Sequence, residues 1–207
     1  MNWLHFSLPL AAYLLGSIAT AVIVSRLFRL PDPRTVGSGN PGATNVLRSG
    51  NKIAALATLV GDLLKGLIPV LVARALDASD SIVALTALAA FVGHLFPVFF
   101  QFKGGKGVAT ALGVLLGLSP WLGLGTLAVW LFMAFTLRYS SLAALTAALA
   151  APIIAWLLQL DMSLIGVVCL MSALLIWRHV GNIQRLLKGE ESRIGQKKAQ
   201  AQASTDN

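Results

Sequence analysis

Seven apolar runs, several of them about as long as the ~20 residues a helix needs to cross a bilayer, follow one another along this 207-residue chain. They span residues 7–24, 53–76, 82–100, 108–118, 120–137, 142–160 and 164–177. With 57% apolar and only 12% charged residues, the chain carries more apolar surface than a soluble domain of this size can bury. Disorder is excluded for the same reason. A β-barrel would show polar and apolar residues alternating, whereas these runs are continuous Leu, Ala and Val. The single cysteine, Cys169, has no partner for an intrachain disulfide. The first run lacks a basic segment before it, and Arg26 and Arg29 come after it, so it reads as a retained span and not a cleaved leader. The expected fold is an all-α membrane protein, a polytopic bundle of seven transmembrane helices. One integral-membrane domain covers residues 1–193, and the Gln-, Ala- and Lys-rich stretch 194–207 reads as a disordered cytoplasmic tail.

The net charge of +8 is spread unevenly, and its placement predicts the topology. Of 16 Lys and Arg, 14 fall in alternate loops on one side, leaving Lys65 inside the second run and Arg74 on the other side, beside Asp77 and Asp80. Loops rich in Lys and Arg stay cytoplasmic, so the N-terminus is expected to be periplasmic and the C-terminus cytoplasmic. The fourth run is short for a bilayer. It is kept as a span because without it Arg138 and Arg178 would change sides.

Three polar, glycine-rich stretches interrupt the apolar sequence, and all three fall on the cytoplasmic side. The first, Gly37-Ser-Gly-Asn-Pro-Gly-Ala-Thr-Asn45, combines Gly37 and Gly39, which let backbone N–H groups converge on an anion, with the neutral donors Ser38, Asn40, Thr44 and Asn45. Arg48 adds charge beside it. The plain alternative is a turn between spans. The second, Lys103-Gly-Gly-Lys-Gly107, places Lys103 and Lys106 on a flexible backbone around Gly104 and Gly105, at the start of a helix where N–H groups also favour an anion. It lacks the spacing of a nucleotide-binding P-loop, and simple anchoring of spans is its alternative. In the third, His179, Asn182 and Arg185 recur every three residues and share one face of a helix end. A basic stop after the last span accounts for the arginines but not for His179 or Asn182.

Asp62 and Lys65, also three apart, lie inside the second run, where ionisable residues are costly enough to count as functional candidates or as a mutual ion pair. His94 needs no chemistry if a backbone carbonyl satisfies it. Gly113 and Gly117 form a G-x-x-x-G pair, read as helix packing. The three histidines lack carboxylates at ligand spacing, so no metal and no other cofactor is expected. What remains is a cytoplasm-facing group of cations, glycines and hydroxyls opening onto a bilayer, suited to a substrate with a phosphate head and an acyl tail. A transporter for a phosphorylated small molecule is the main alternative, weakened by the lack of an internal repeat. A non-enzymatic binder of anionic lipid is a third reading, and it leaves the amide and hydroxyl donors without a role.

Taken in order, these stretches resemble the PlsY family, the bacterial glycerol-3-phosphate acyltransferases that use acyl phosphate as donor. The likeness rests on Gly37 to Asn45, on Gly93-His-Leu-Phe-Pro-Val-Phe with Phe102 to Thr110, and on Arg178-His with Asn182 to Glu190. Leu15-Gly-Ser17 and Arg138-Tyr-Ser-Ser141 add to it, so that it covers about Tyr13 to Arg193. It implies a seven-span inner-membrane enzyme of phospholipid biosynthesis, with its active site facing the cytoplasm. The enzyme would transfer a fatty acyl group from acyl phosphate to sn-glycerol 3-phosphate, giving lysophosphatidic acid and phosphate, without using acyl-CoA. Ser38, Asn40, Arg48, Lys103, Lys106, Ser141, His179 and Asn182 fall on the family's functional motifs. Its partners would be the two substrates, membrane lipids and an enzyme that makes acyl phosphate, with no nucleic acid.

Overall fold

The computed structural model describes residues 3–195 and is all-helical over them. Four helices are long and apolar enough to cross a membrane: α4 (Lys52–Ala75), α5 (Asp80–Leu95, extended by a short 3-10 turn to Phe100), α7 (Pro120–Leu137) and α8 (Ser140–Leu157). Two bent pairs pass the same test as units. These are α1 (Trp3–Gly16) with α2 (Thr20–Leu27), and α9 (Met162–Arg178) with α10 (Val180–Leu187). The short apolar α6 (Val108–Leu118) and the loop helix α3 (Ala43–Arg48) complete the helices among the described residues. The expected tail begins at 194, but Ile194 is tied down, its N–H donating to the Arg138 carbonyl at 2.6 Å. Residues 196–207 lie outside the described residues.

Local sequence accounts for most boundaries. Asn51 caps α4 by accepting from the Ala54 N–H, and Asp161 caps α9 by accepting from the Ser163 N–H. Ser119 caps α7, with Pro120 at the first helical position where its missing N–H costs nothing. Arg74, the cation left on the far side, donates to the carbonyls of Gly117 and Leu118 at 3.1 and 2.6 Å and so closes the end of α6.

Packing follows the logic of a bilayer, where apolarity alone does not bring helices together and small residues do. On α8, Ala143, Ala147, Ala151 and Ala155 face inward and are buried, while Leu149, Ile153 and Trp156 are 60–66% exposed on the outer face. α6 lies against α4 so closely that a Cβ on Gly66 would stand 2.2 Å from the Thr110 carbonyl oxygen, and one on Gly113 would stand 2.0 Å from that of Leu63. The G-x-x-x-G pair is therefore a packing device, as its spacing suggests.

The first apolar run is not one straight helix: it bends by 41° between α1 and α2. A break at membrane depth frees backbone carbonyls, each costing several kcal/mol if left bare in hydrocarbon. Lys65 donates to Ile18 O at 2.8 Å, beside the Thr20 N–H that the same carbonyl accepts at 3.0 Å, while its ammonium pairs with Asp62 at 2.8 Å. The intramembrane charges thus brace a broken span.

Candidate active site

A cavity of about 1030 Å³ opens where the three polar stretches meet and runs down between α4, α6, α7, α8 and α9. Its mouth is lined by Gly37, Ser38, Asn40, Thr44, Asn45 and Arg48 from the first stretch, Lys106 from the second, Ser141 at the start of α8, and His179, Asn182 and Arg185 at the α9–α10 corner. Below the mouth its walls are mainly Leu, Ala and Val, with Asp62, His94, Thr126, Trp130 and Ser172 set among them. A polar head compartment therefore continues into an apolar groove.

The first stretch holds its shape through Asn45. Its side-chain oxygen accepts the Ser38 N–H at 3.0 Å, and its amide donates to the carbonyls of Pro33 and Val36 at 2.7 and 3.0 Å. Gly37, at φ +62°, adopts a conformation side chains disfavour, and a Cβ there would meet Asn45 Oδ1 at 2.2 Å. Asn45 is thus a brace for the loop, and Ser38, Asn40 and Thr44 are the donors left facing the cavity.

The second stretch is seated by its glycines. Gly105 N–H donates to the His94 carbonyl at 3.2 Å, and Arg178 donates to the carbonyls of Gly104 and Gly105 at 2.9 and 3.2 Å. A Cβ on Gly105 would stand 2.2 Å from His94 Nε2. These two glycines let the chain press onto the end of α5 and line a smaller neighbouring cavity beside Asp62, Lys65 and His94. The close seating delivers Lys106 to the main cavity. Gly39 and Lys103 do not line that cavity, and Lys103 is exposed.

The third stretch brings a carboxylate that the sequence did not single out. Glu191 Oε1 accepts from Asn182 Nδ2 at 2.6 Å and from Ser141 Oγ at 2.7 Å, and Glu191 Oε2 pairs with Arg185 Nε at 2.7 Å. Burial pushes this carboxyl up, but the bonds from Ser141, Asn182 and Arg185 outweigh it and hold the pKa below the usual range. Asn182 Oδ1 accepts from Lys106 Nζ, so Asn182 bridges the second stretch to Glu191. Ser192 Oγ accepts from Arg48 at 2.7 Å, joining the first stretch to the same segment. The available signal was an acid pair, Glu190-Glu191, in a strongly basic region.

Two features set the chemistry. Lys106 has its pKa pushed down to about 8 by burial first, then by Arg185, Arg178 and Arg48, with Glu191 partly opposing them. It is a cation short of counter-charge, poised for an anion. His179 is 3% exposed, and its Nδ1 lies 2.8 Å from the Leu175 carbonyl. That contact puts the proton on Nδ1 and leaves Nε2 as the acceptor.

Comparison with known proteins gives the same outline. The family model described as glycerol-3-phosphate acyltransferase matches residues 6–189. A glycerol-3-phosphate acyltransferase of Thioalkalivibrio sulfidiphilus (strain HL-EbGR7) is 59% identical over 191 residues, covering 92% of this chain and 94% of that protein. One from Thiobacillus denitrificans (strain ATCC 25259 / T1) is 57% identical over 198 residues, covering 94% and 99%. The crystal structure of PlsY, an integral membrane glycerol 3-phosphate acyltransferase, in its glycerol 3-phosphate form superposes with a TM-score of 0.88 at 42% identity, covering 92% of this chain and 96% of that one. The lysophosphatidic acid form of the same protein gives 0.86 at 41% identity, covering 92% and 95%.

Proposed function

The chain belongs to the glycerol-3-phosphate acyltransferase family, and from that premise we propose that it takes its acyl group from acyl phosphate. The observation carrying this reading is the continuity of a cation-lined head compartment with an apolar groove inside one cavity. An acyl phosphate has a phosphate for the first and a hydrocarbon tail for the second. It is also a mixed anhydride, already activated, so the site needs no covalent enzyme intermediate and works by positioning and charge neutralisation.

The primary hydroxyl of glycerol 3-phosphate attacks the acyl carbonyl. The new C–O ester bond forms, the C–O bond to phosphate breaks, and inorganic phosphate leaves. Two phosphates at about 5 Å repel by roughly 3 kcal/mol per pair of unit charges at an effective dielectric of 20. Lys106, Arg48 and Arg185 line the mouth and offset that repulsion, with Ser38, Asn40 and Thr44 as neutral donors, while Ser141, whose one O–H goes to Glu191, holds that carboxylate in place. His179 Nε2 and Asn182 orient the acceptor hydroxyl, and the leaving phosphate takes its proton, since its oxygen grows more basic as the anhydride breaks. Gly37, Gly104 and Gly105 act through backbone placement, and Lys103 draws anions toward the mouth from the surface.

The same reading counts seven spans: the four long helices, the two bent pairs and α6. It places the N-terminus in the periplasm and the mouth of the cavity at the cytoplasmic face of the inner membrane, where a soluble enzyme making acyl phosphate would deliver the donor.

Purified protein in lipid should release phosphate from acyl phosphate only when glycerol 3-phosphate is added, and should leave acyl-CoA untouched. Comparable turnover of both donors rejects the donor assignment. In intact cells, a cysteine replacing Ser38 should resist an impermeant thiol reagent applied from outside. Labelling from outside overturns the orientation.

A further inference from the structure

The apolar groove has a floor. On α7, α8 and α9 the deepest residues lining the cavity are Thr126, Ala151 and Val168. One helical turn further from the mouth on the same helices stand Leu122, Ala155 and Leu164, which are 0–3% exposed, pack in the same core cluster and no longer line the cavity. Three helices thus close the groove at one level.

Its depth can be read along α8. Ser141 lines the mouth and Ala151 the bottom, ten residues on, which at 1.5 Å per residue is about 15 Å. An extended hydrocarbon chain advances slightly less per methylene than a helix does per residue, so this depth holds about a dozen carbons. The wall over that length is made of Ala144, Ala147, Ala148 and Ala151, and small side chains on a packed helix are what leave room for a chain.

We propose that this floor is a ruler for the acyl chain, with Ala148 and Ala151 on α8 and Leu122 on α7 setting the longest chain that is transferred efficiently. The ruler rests on the reading that the groove holds the tail of an acyl phosphate. Within it, a chain that outruns the floor must fold or turn out between helices and lose the contacts that hold its carbonyl at the head compartment.

The test measures kcat/KM for glycerol 3-phosphate-dependent phosphate release in lipid nanodiscs, using saturated acyl phosphates in an even-numbered series from medium to long chains. Ala151→Phe should lower the value for the longest donors at least tenfold, the scale on which apolar pockets discriminate by methylenes, and leave shorter ones within about twofold. Ala148→Phe, three residues nearer the mouth and so about 4.5 Å shallower, should bring the cut-off down by a further three or four carbons. Leu122→Ala should act in the opposite direction, raising the longest donors relative to the shorter ones. A uniform loss at every length, or the same cut-off in both Phe variants, overturns the ruler. If a Phe variant does not fold, Ala151→Val must still shift the profile toward shorter chains, and an unmoved profile in a folded Val variant overturns the ruler equally. Wild-type protein that turns over no acyl phosphate of any length overturns the donor reading and the ruler with it, whereas turnover with no shift among the variants overturns the ruler alone.

Discussion

Removing the charge of Lys106 tests whether the cations at the mouth take part in the reaction or merely anchor the protein. An ammonium about 4 Å from a phosphate charge contributes about 4 kcal/mol at an effective dielectric of 20. Loss of one preorganised donor in an active site typically costs ~2.7–4 kcal/mol, or roughly 10² to 10³ in kcat. Lys106→Ala should therefore lose a factor of about 10² or more. The pH profile carries a sharper signature, because the Lys106 pKa is pushed down to about 8. Such an ammonium is about nine-tenths charged at pH 7 and about one-tenth charged at pH 9, so kcat/KM, which reports on the free enzyme, should fall about tenfold per pH unit above pH 8. The sign is that of a group active when protonated: full activity below its pKa, loss as pH rises through it. Lys106→Arg keeps the charge across this range and should abolish the alkaline limb even if its larger head lowers the plateau. The assay is steady-state phosphate release over pH 6 to 10 (the window that brackets the lysine pKa of about 8). An alkaline limb near pH 8 that survives in Lys106→Arg, or near-normal rates in Lys106→Ala, refutes the reasoning.

Three further outcomes are expected. Arg48→Ala, at the cavity mouth, should lose about 10² in kcat/KM by the same electrostatic argument, while Lys197→Ala, outside the described residues, should lose none; equal behaviour of the two in the release assay would remove Arg48 from the site. His179→Gln, which keeps a hydrogen-bonding side chain, should retain clearly more activity than His179→Ala, where a general base would have contributed ~10² to 10⁴; two equally inactive variants, with an acidic limb in the wild-type kcat/KM profile that belongs to the enzyme and not to the donor, would make His179 the base. Asp62→Asn leaves Lys65 buried without its counter-ion and should destabilise the protein by about 3–5 kcal/mol, read as a lower Tm in detergent; an unchanged Tm would show that the pair does not brace the broken first span.

Much of this protein was legible in its sequence because a bilayer narrows the choices: backbone groups must be satisfied within each segment, so apolar runs can only be helices. The runs, the alternation of charge and the three polar stretches follow from that constraint alone, and so does the reading of Gly113 and Gly117 as packing residues. Ser38, Arg48, Lys106, Ser141, His179, Asn182 and Arg185 were all legible as candidates, and the fold brings them to one cavity mouth. Chemical type and local spacing sufficed for all of these except Ser141, which lies outside the three stretches and was picked out by the family resemblance alone.

Tertiary structure alone decided the rest, and in each case the reason is that a partner lies far along the chain. Lys65 reads only as a functional candidate or as the partner of Asp62 until the bend between α1 and α2 brings the Ile18 carbonyl, 47 residues away, within reach of its ammonium. Gly104 and Gly105 read as a phosphate cradle until the end of α5 is seen pressed against them, with the Gly105 N–H already engaged by His94. Glu191 became visible only when Ser141, 50 residues earlier, and Asn182 converged on its carboxylate. The length of the apolar groove is the most tertiary property of all. No single helix encodes a floor, and the proposed one exists because Leu122, Ala155 and Leu164, from three different helices, pack into one buried cluster a turn beyond the last residues that line the cavity.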